Sequence, residues 1–391
     1  MRYYRTSQGN NLAKLLSVRD EQHGNNNNLM SSDIAVLVGG NCVAPLDDIV
    51  IAHLLCLKAF RYKNFMEAYS HQSACVQAVL KLMSSSKVDN WIIPVANTVC
   101  LELRLIARQA DKVSDQPKGT IMEKAAESLL SCFRVCAGDN RSAEADTKKI
   151  GMLGIANQLT KLYFCINKMH LCKPLIRAIE SSTLREQFPL ADQVTYKYYI
   201  GRKAMLDSDF GLANEYLSFA FDKCKGSYKN KRVILTYLVP VKILLGWMPQ
   251  RSLLEKYDLV LQFWNLTESI KLGNVQGIDK AMKENESFYI SSAIYLIVEK
   301  LKVVAYRNLF RRVYVNEKNH QINISNFQAA LHMMGQKDVD HYETQCILAN
   351  LIYEGKIKGY ISYQHNKLVV SKQNAFPKLA SMECLPKTYF A

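Results

Sequence analysis

The residues best able to do chemistry in this 391-residue chain are its thiols, its histidines and its cations. Cys132-Phe-Arg-Val-Cys136 places two thiols one helical turn apart, close enough to share a metal ion. Zinc takes four ligands, and neither a Cys-x-x-Cys nor a spaced His pair accompanies them. Both are therefore expected as small apolar residues on a core-facing helix. His53, His71 and His170 stand in helical stretches with nothing beside them to make a triad. The chain carries no Gly-x4-Gly-Lys-Ser/Thr phosphate loop, His-Glu-x-x-His, Gly-x-Ser-x-Gly or Gly-x-Gly-x-x-Gly. No catalytic residue, metal ligand or cofactor is expected, and the chemistry that remains is that of charge.

That charge is positive. Fifty Lys and Arg against 35 Asp and Glu leave +15, which calls for an acidic partner, nucleic acid or protein. From Lys300 onward thirteen basic residues face six acidic ones. Lys300, Lys302, Arg307, Arg311, Arg312, Lys318, Lys356, Lys358, Lys367 and Lys372 are the candidate contacts to RNA or DNA phosphates. At 100° per residue, Lys300, Arg307, Arg311 and Lys318 would fall within about 40° of one another on a helix. Leu301, Ala305, Leu309 and Val313 would lie on its other side. A second cluster, Lys225, Lys229, Lys231 and Arg232 with Lys223, follows a tyrosine-rich helix carrying Tyr196, Lys197, Tyr198, Arg202 and Lys203. Cations interleaved with aromatic surface suit an acidic peptide with apolar anchors, so these residues are the candidate protein-binding site.

The elements that must hold these side chains are almost all helical. Apolar residues make up 49%, enough for a sizeable core, and 9 Pro with 17 Gly argue against a β-sandwich or a low-complexity chain. Residues 1–44, with Asn25–Asn28 and Gly39-Gly40, read as a largely disordered tail with one short helix around Leu12–Val18. From 45 to 299 apolar residues recur at three- and four-residue spacing with short breaks. Ile200-Gly201-x-x-Ala204 followed by Ala213-x3-Leu217-x2-Ala220 fits the tetratricopeptide pattern. Leu55-Cys56-x-x-Ala59 with Ala68-x3-Gln72-x2-Cys75 repeats it, and a weaker copy is expected through Leu171, Leu175 and Ala178. A right-handed superhelix of such repeats is the expected architecture.

Residues 300–377 differ. Helices are expected over Leu301–Tyr314, Ser325–Met334 (capped by Ser325) and Asp340–Tyr353 (capped by Asp340). A hairpin of Lys356–Ser362 and Lys367–Ser371 should follow. Three helices and a two-stranded wing outline a winged helix, leaving 378–391 as a short tail. Its third helix carries no Lys or Arg, and Asp340 and Glu343 sit at its start, so it is not expected to read bases in a major groove. Contacts should come from the first helix and the wing, through phosphates. Tyr360 and Tyr363 can stack on single-stranded bases but are expected to pack against the wing instead.

Helical repeats running into a winged helix resemble PCI domains, the family named for proteasome lid, signalosome and translation initiation factor. The segment ILANLIYEGKIKGYIS (347–362) resembles that family's helix-and-wing signature. Longer stretches, among them MEKAAESLLSCFRVCAGD (122–139), VTYKYYIGRKAMLDSDF (194–210) and YRNLFRRVY (306–314), are similar to the branch of the family found in the TREX-two transcription-and-export complex. The resemblance covers about 46–377 and not the Asn-rich start. It implies a non-enzymatic subunit, part of a hetero-oligomer, bound to a Sac/GANP-type scaffold and to a small acidic Sem/DSS-type subunit. Paired winged helices would then offer a basic platform to nucleic acid at nuclear pores, in mRNA export. The alternative is a purely structural subunit of a lid- or signalosome-like assembly. Such subunits usually extend into a further helical bundle, which the residues after 376 are too short and proline-broken to form.

Compartment agrees with that expectation. The start, MRYYRTSQGNNLAKLLSV, lacks a secretory pattern, and the most apolar stretch, Val233–Trp247, is broken by Pro240 and Lys242 and too short for a membrane span. Eleven cysteines are then expected as reduced thiols in a soluble intracellular protein, and the sequons at Asn265 and Asn323 carry no meaning.

Overall fold

The computed structural model describes residues 2–19, 33–39, 42, 44–141, 146–226 and 228–379; Asn25–Asn28, Ser227 and residues 380–391 lie outside the described residues. The chain divides into two compact units, Met1–Tyr199 and Ile200–Ala391.

The first unit begins with the short helices α1 (Arg2–Arg5), α2 (Gly9–Leu15) and α3 (Ile34–Gly39). Longer helices follow: α4 (Leu46–Arg61), α5 (Phe65–Ser84), α6 (Ile93–Val113), α7 (Thr120–Ala137), α8 (Met152–Cys165), α9 (Cys172–Glu180) and α10 (Leu190–Leu206), which runs on past Tyr199 into the second unit. The turn joining α4 to α5 shows how the repeat is written. Lys63 takes a left-handed φ of 58°, and Asn64 then caps α5 by accepting the Glu67 N–H at 3.3 Å. Cys56, Ala59, Ala68 and Cys75 are buried between the paired helices. Gln72, the one polar departure from the repeat, is buried as well and donates to the Val99 carbonyl at 3.1 Å.

The start of the chain departs from the expected tail. Leu12, Ala13 and Leu16 are buried, the Tyr4 ring meets Trp91 edge-on at 5.7 Å, and a Cβ on Gly9 would strike the Trp91 carbonyl. Two apolar residues of α2 and the Leu16 that follows it suffice to dock a segment whose average composition is polar. Glu102 of α6 completes the attachment, accepting from Ser17 Oγ and from the Val18 N–H, each at 2.8 Å. Burial pushes the Glu102 carboxyl up to about 7, against the two hydrogen bonds and the pull of Arg19. The weak repeat copy fails. Leu171 is 39% exposed, and Cys172, Leu175 and Ile179 form the inner face of α9.

In the second unit α11 (Phe210–Lys223), α12 (Tyr228–Leu244), α13 (Arg251–Lys256), α14 (Val260–Leu272), α15 (Val275–Glu284), α16 (Glu286–Ser291) and α17 (Tyr295–Lys300) continue the pattern. Ser208 and Asp209 repeat the turn of Lys63 and Asn64, with φ 62° and a cap on the Leu212 N–H at 3.2 Å. Gly273 and Asn274 do so again, with φ 71° and a cap on the Gly277 N–H at 2.9 Å. A Cβ on Gly201 would lie 2.8 Å from Leu217 Cγ, so glycine is what lets these helices touch. No helix among the described residues is long and apolar enough to cross a membrane.

The winged helix closes this unit: α18 (Lys302–Glu317), β1 (Gln321–Asn323), α19 (Ile324–Met333), α20 (His341–Tyr353), β2 (Gly359–Ser362) and β3 (Lys367–Val370). The expected hairpin is present, joined by an unforeseen third strand, in the antiparallel order β1-β3-β2. Ile322 and Ile361 both stand opposite Leu368. Phe310, Ile322, Phe327, Leu348, Leu351 and Leu368 form the core beneath the sheet. Asp340 caps α20 in a capping box with Glu343. Asn323, not Ser325, is the residue before α19, because β1 runs directly into that helix.

Candidate nucleic-acid interface on the winged helix

The wing sheet sorts the candidate cations by its register. Gln321 stands opposite Val369 and Gly359 opposite Val370, so the start of β1, the start of β2 and the finish of β3 share one end of the sheet. Backbone bonds tie the flanking residues there: Val370 N to His320 O at 2.9 Å, Ser371 N to Lys358 O at 2.8 Å and Lys358 N to Ala375 O at 2.9 Å. Lys318, Lys358 and Lys372 all leave the fold at this end, and all three are exposed. Arg311 joins them. It lies on the same face of α18 as Arg307 and Tyr314, which contact Phe376 next to Ala375. Among the described residues no carboxylate pairs with Arg311, Arg312, Lys318, Lys358, Lys367 or Lys372.

Tyr360, two residues after Lys358, shares its face of the sheet. Tyr360 and Tyr363 are 62% and 69% exposed, not packed against the wing as expected: the core takes Ile361 from β2 and leaves Tyr360 on the other face, and Tyr363 lies past the strand in the turn.

Other candidates are elsewhere or occupied. Lys367 sits between Asn323 and Ser362, about 10 Å away at the opposite end of β3. Arg312 is exposed but turned about 100° from Arg311. Arg307 is buried: its guanidinium donates to the Phe376 and Pro377 carbonyls at 3.2 and 2.7 Å and to Asn308 Oδ1 at 3.0 Å. Burial, with Arg311 nearby, lowers its pKa. The expected stripe required one helix through 300–318. Instead Lys300 ends α17, and Lys318 takes a left-handed φ of 50° after α18. Lys300 lies over the Phe210 ring at 5.2 Å. Lys302 pairs with Asp279 at 2.7 Å, and Lys356 pairs with Glu354.

The proposed protein-binding cluster dissolves in the same way. Tyr196 and Tyr198 belong to the first unit, with Lys197; Arg202 onward belong to the second. Tyr196 is buried and donates to Glu180 Oε1 at 2.9 Å, while Tyr198 meets Tyr199 at 4.9 Å. Lys203 is buried and paired with Asp207. Arg202 lies 4.3 Å from the Tyr237 ring, Lys231 5.0 Å from Phe221, and Arg232 donates to the Asp258 carbonyl at 3.0 Å. Of that basic group Lys223, Lys225 and Lys229 are exposed. Helical packing engages Arg202, Lys203, Lys231 and Arg232 within the fold, which a linear reading cannot see.

The supposed reading helix offers something else. On α20 the exposed residues Tyr342, Cys346, Ala349, Asn350 and Tyr353 follow a helical stripe with no cation in it, and Asp340 and Glu343 are spent on capping each other. Cys132 and Cys136 are fully buried, and burial pushes the Cys136 thiol up to about 12. No group of three or more metal-ligating side chains stands together among the described residues.

Helical repeats carried into a basic winged helix define a PCI-class subunit of a protein complex, and residues 282–372 match the PCI domain. PCI domain-containing protein 2 homolog of Drosophila melanogaster is 50% identical over 376 residues, 95% of either chain. PCI domain-containing protein 2 of Xenopus laevis is 52% identical over 86% of each, and the Dictyostelium discoideum homolog 37% identical over 89% of this chain and 82% of its own. This chain belongs to the PCI domain-containing protein 2 family.

Proposed function

We propose that the chain is the PCI subunit of a TREX-two-type mRNA export complex, acting without catalysis in the nucleus and at nuclear pores. It docks on a Sac/GANP-type scaffold, holds a small acidic Sem/DSS-type subunit, and offers Arg311, Lys318, Lys358 and Lys372 to the phosphates of RNA or DNA. The observation carrying the nucleic-acid part is the gathering of unpaired cations at one end of the sheet beside exposed Tyr360, while α20 has none. Phosphate contact without base reading follows from that split. The uncharged stripe on α20 suits a protein surface, and supports docking of the scaffold there.

Co-expression with a scaffold fragment and the acidic subunit should give a stoichiometric complex. Titration of that complex with a uridine oligomer at several salt concentrations should show affinity falling at about −0.7 per phosphate engaged. Reversal to Glu at Arg311, Lys318, Lys358 and Lys372 should flatten the slope without unfolding the protein. An unchanged slope would dispose of this surface and favour the purely structural subunit, for which the α20 stripe alone would suffice.

A further inference from the structure

Within the first unit, α6, α8 and the part of α10 up to Tyr199 share a second cationic face. Arg104 of α6 reaches across to α8, its Nε donating to Gln158 Oε1 at 2.8 Å. Arg108 lies one turn further along α6 and is exposed, and Lys161 of α8 is half-buried close to Arg104. Asn157 Nδ2 donates to the Asp192 carbonyl at 2.9 Å, setting α10 against α8. Aromatic rings continue the surface: Phe164 meets Tyr199 edge-on at 5.2 Å, and Tyr199 meets Tyr198 at 4.9 Å. Cys165, one turn past Lys161, is exposed.

The charge on this face is lopsided. Arg19, Arg104, Arg108 and Lys161 interact within it, and Asp192 is the carboxylate that answers Lys161. Burial lowers the pKa of both Arg104 and Lys161 and raises that of Asp192, the directions expected where half-desolvated cations lack sufficient compensating charge. A nucleic-acid backbone calls for a row of exposed cations, as the wing provides. Half-buried cations flanked by aromatic rings instead suit separate carboxylates and the apolar side chains between them.

We propose that the α6–α8–α10 face binds an extended acidic peptide, its carboxylates on Arg108, Arg104 and Lys161 and an apolar side chain against Tyr199 and Phe164. The assignment rests on the reading that this subunit takes an acidic partner, and moves that contact away from Lys225–Arg232. The side chains of Lys231 and Arg232 are engaged within the fold, whereas Arg108 is exposed.

The test uses the full chain and a fluorescein-labelled Asp/Glu-rich peptide containing two Trp. Iodoacetamide labelling, read by peptide mapping, should slow about tenfold at Cys165 when the peptide is bound and stay unchanged at exposed Cys346 of the winged helix. Arg108→Glu with Lys161→Glu should weaken the peptide about tenfold or more, while reversal of Arg311, Lys358 and Lys372 should leave it alone. Arg108→Glu by itself, at an exposed position, carries the test if the double variant misfolds. A wild-type chain that ignores the peptide overturns the acidic-partner reading together with the site. Binding without protection of Cys165, or undiminished in Arg108→Glu, overturns the site alone. Protection of Cys165 by a uridine oligomer in place of the peptide assigns the face to nucleic acid and overturns the proposal.

Discussion

Each compact unit fastens a peripheral segment with one buried ionisable side chain, and the two fastenings are chemical opposites. In the first, Glu102 accepts from Ser17 Oγ and the Val18 N–H. In the second, Arg307 donates to the carbonyls of Phe376 and Pro377. A guanidinium stays charged under any physiological condition and can span two acceptors with its fork. A carboxylate in the same predicament gives up its charge more readily, and Glu102 is pushed up to about 7. The comparison teaches that a charged residue in a helical sequence can be a rivet and not a surface, and that the two signs rivet with different robustness to pH.

Arg307→Met should break the sturdier rivet and show the largest effect. It strands two backbone acceptors, and roughly 3 kcal/mol of stability should go, measured by denaturant unfolding. Hydrogen exchange should rise across 375–377, and Arg307→Lys should recover only part of the loss, since an ammonium has no second nitrogen for Asn308 beside the one that serves both carbonyls. If Arg307→Met melts like wild type, the fastening is ornamental and Arg307 is free to serve the phosphate platform after all.

The Glu102 rivet should differ in kind. Its folded pKa lies above the ordinary 4.5, so folding favours the protonated form. The stability it contributes is complete below about 4.5, drains as pH rises toward 7 and levels off above. A shift of that size corresponds to roughly 3–4 kcal/mol over the whole titration at 1.4 kcal/mol per unit. Glu102→Gln should remove this slope, whatever its constant cost, when melting is followed from pH 4 to 8. Matching slopes in variant and wild type would leave the two fastenings alike.

Asp340→Ala gives the smallest effect and the cleanest control, for Asp340 is an exposed carboxylate whose work is local. Loss of the capping box should cost about 1 kcal/mol, checked by the same melts. An effect as large as that of Arg307→Met would mean that the start of α20 carries more of the winged helix than its exposure implies.

Much of this fold was legible from local signals. The α20 cap, the β-branched wing strands and the turns at Asn64 and Asp209 announce themselves within a few residues, and all fold as read. What escaped depends on distant partners. β1 has three residues, and only its pairing with β3 makes it a strand. Arg307 has the spacing of a surface stripe, and its acceptors lie far along the chain. The docked start is polar on average, and Leu12, Ala13 and Leu16 show their purpose only beside α6. For the candidate site, sequence located the cationic region but not which cations the register would gather.

The order β1-β3-β2 puts the strand made last at the centre of the sheet. A chain that stops anywhere before Lys367 therefore forfeits the whole wing: both outer strands lose together the one strand each pairs with among the described residues. Until Lys367–Val370 is in place, β1 and β2 each present bare edges, the feature that most invites wrong pairing.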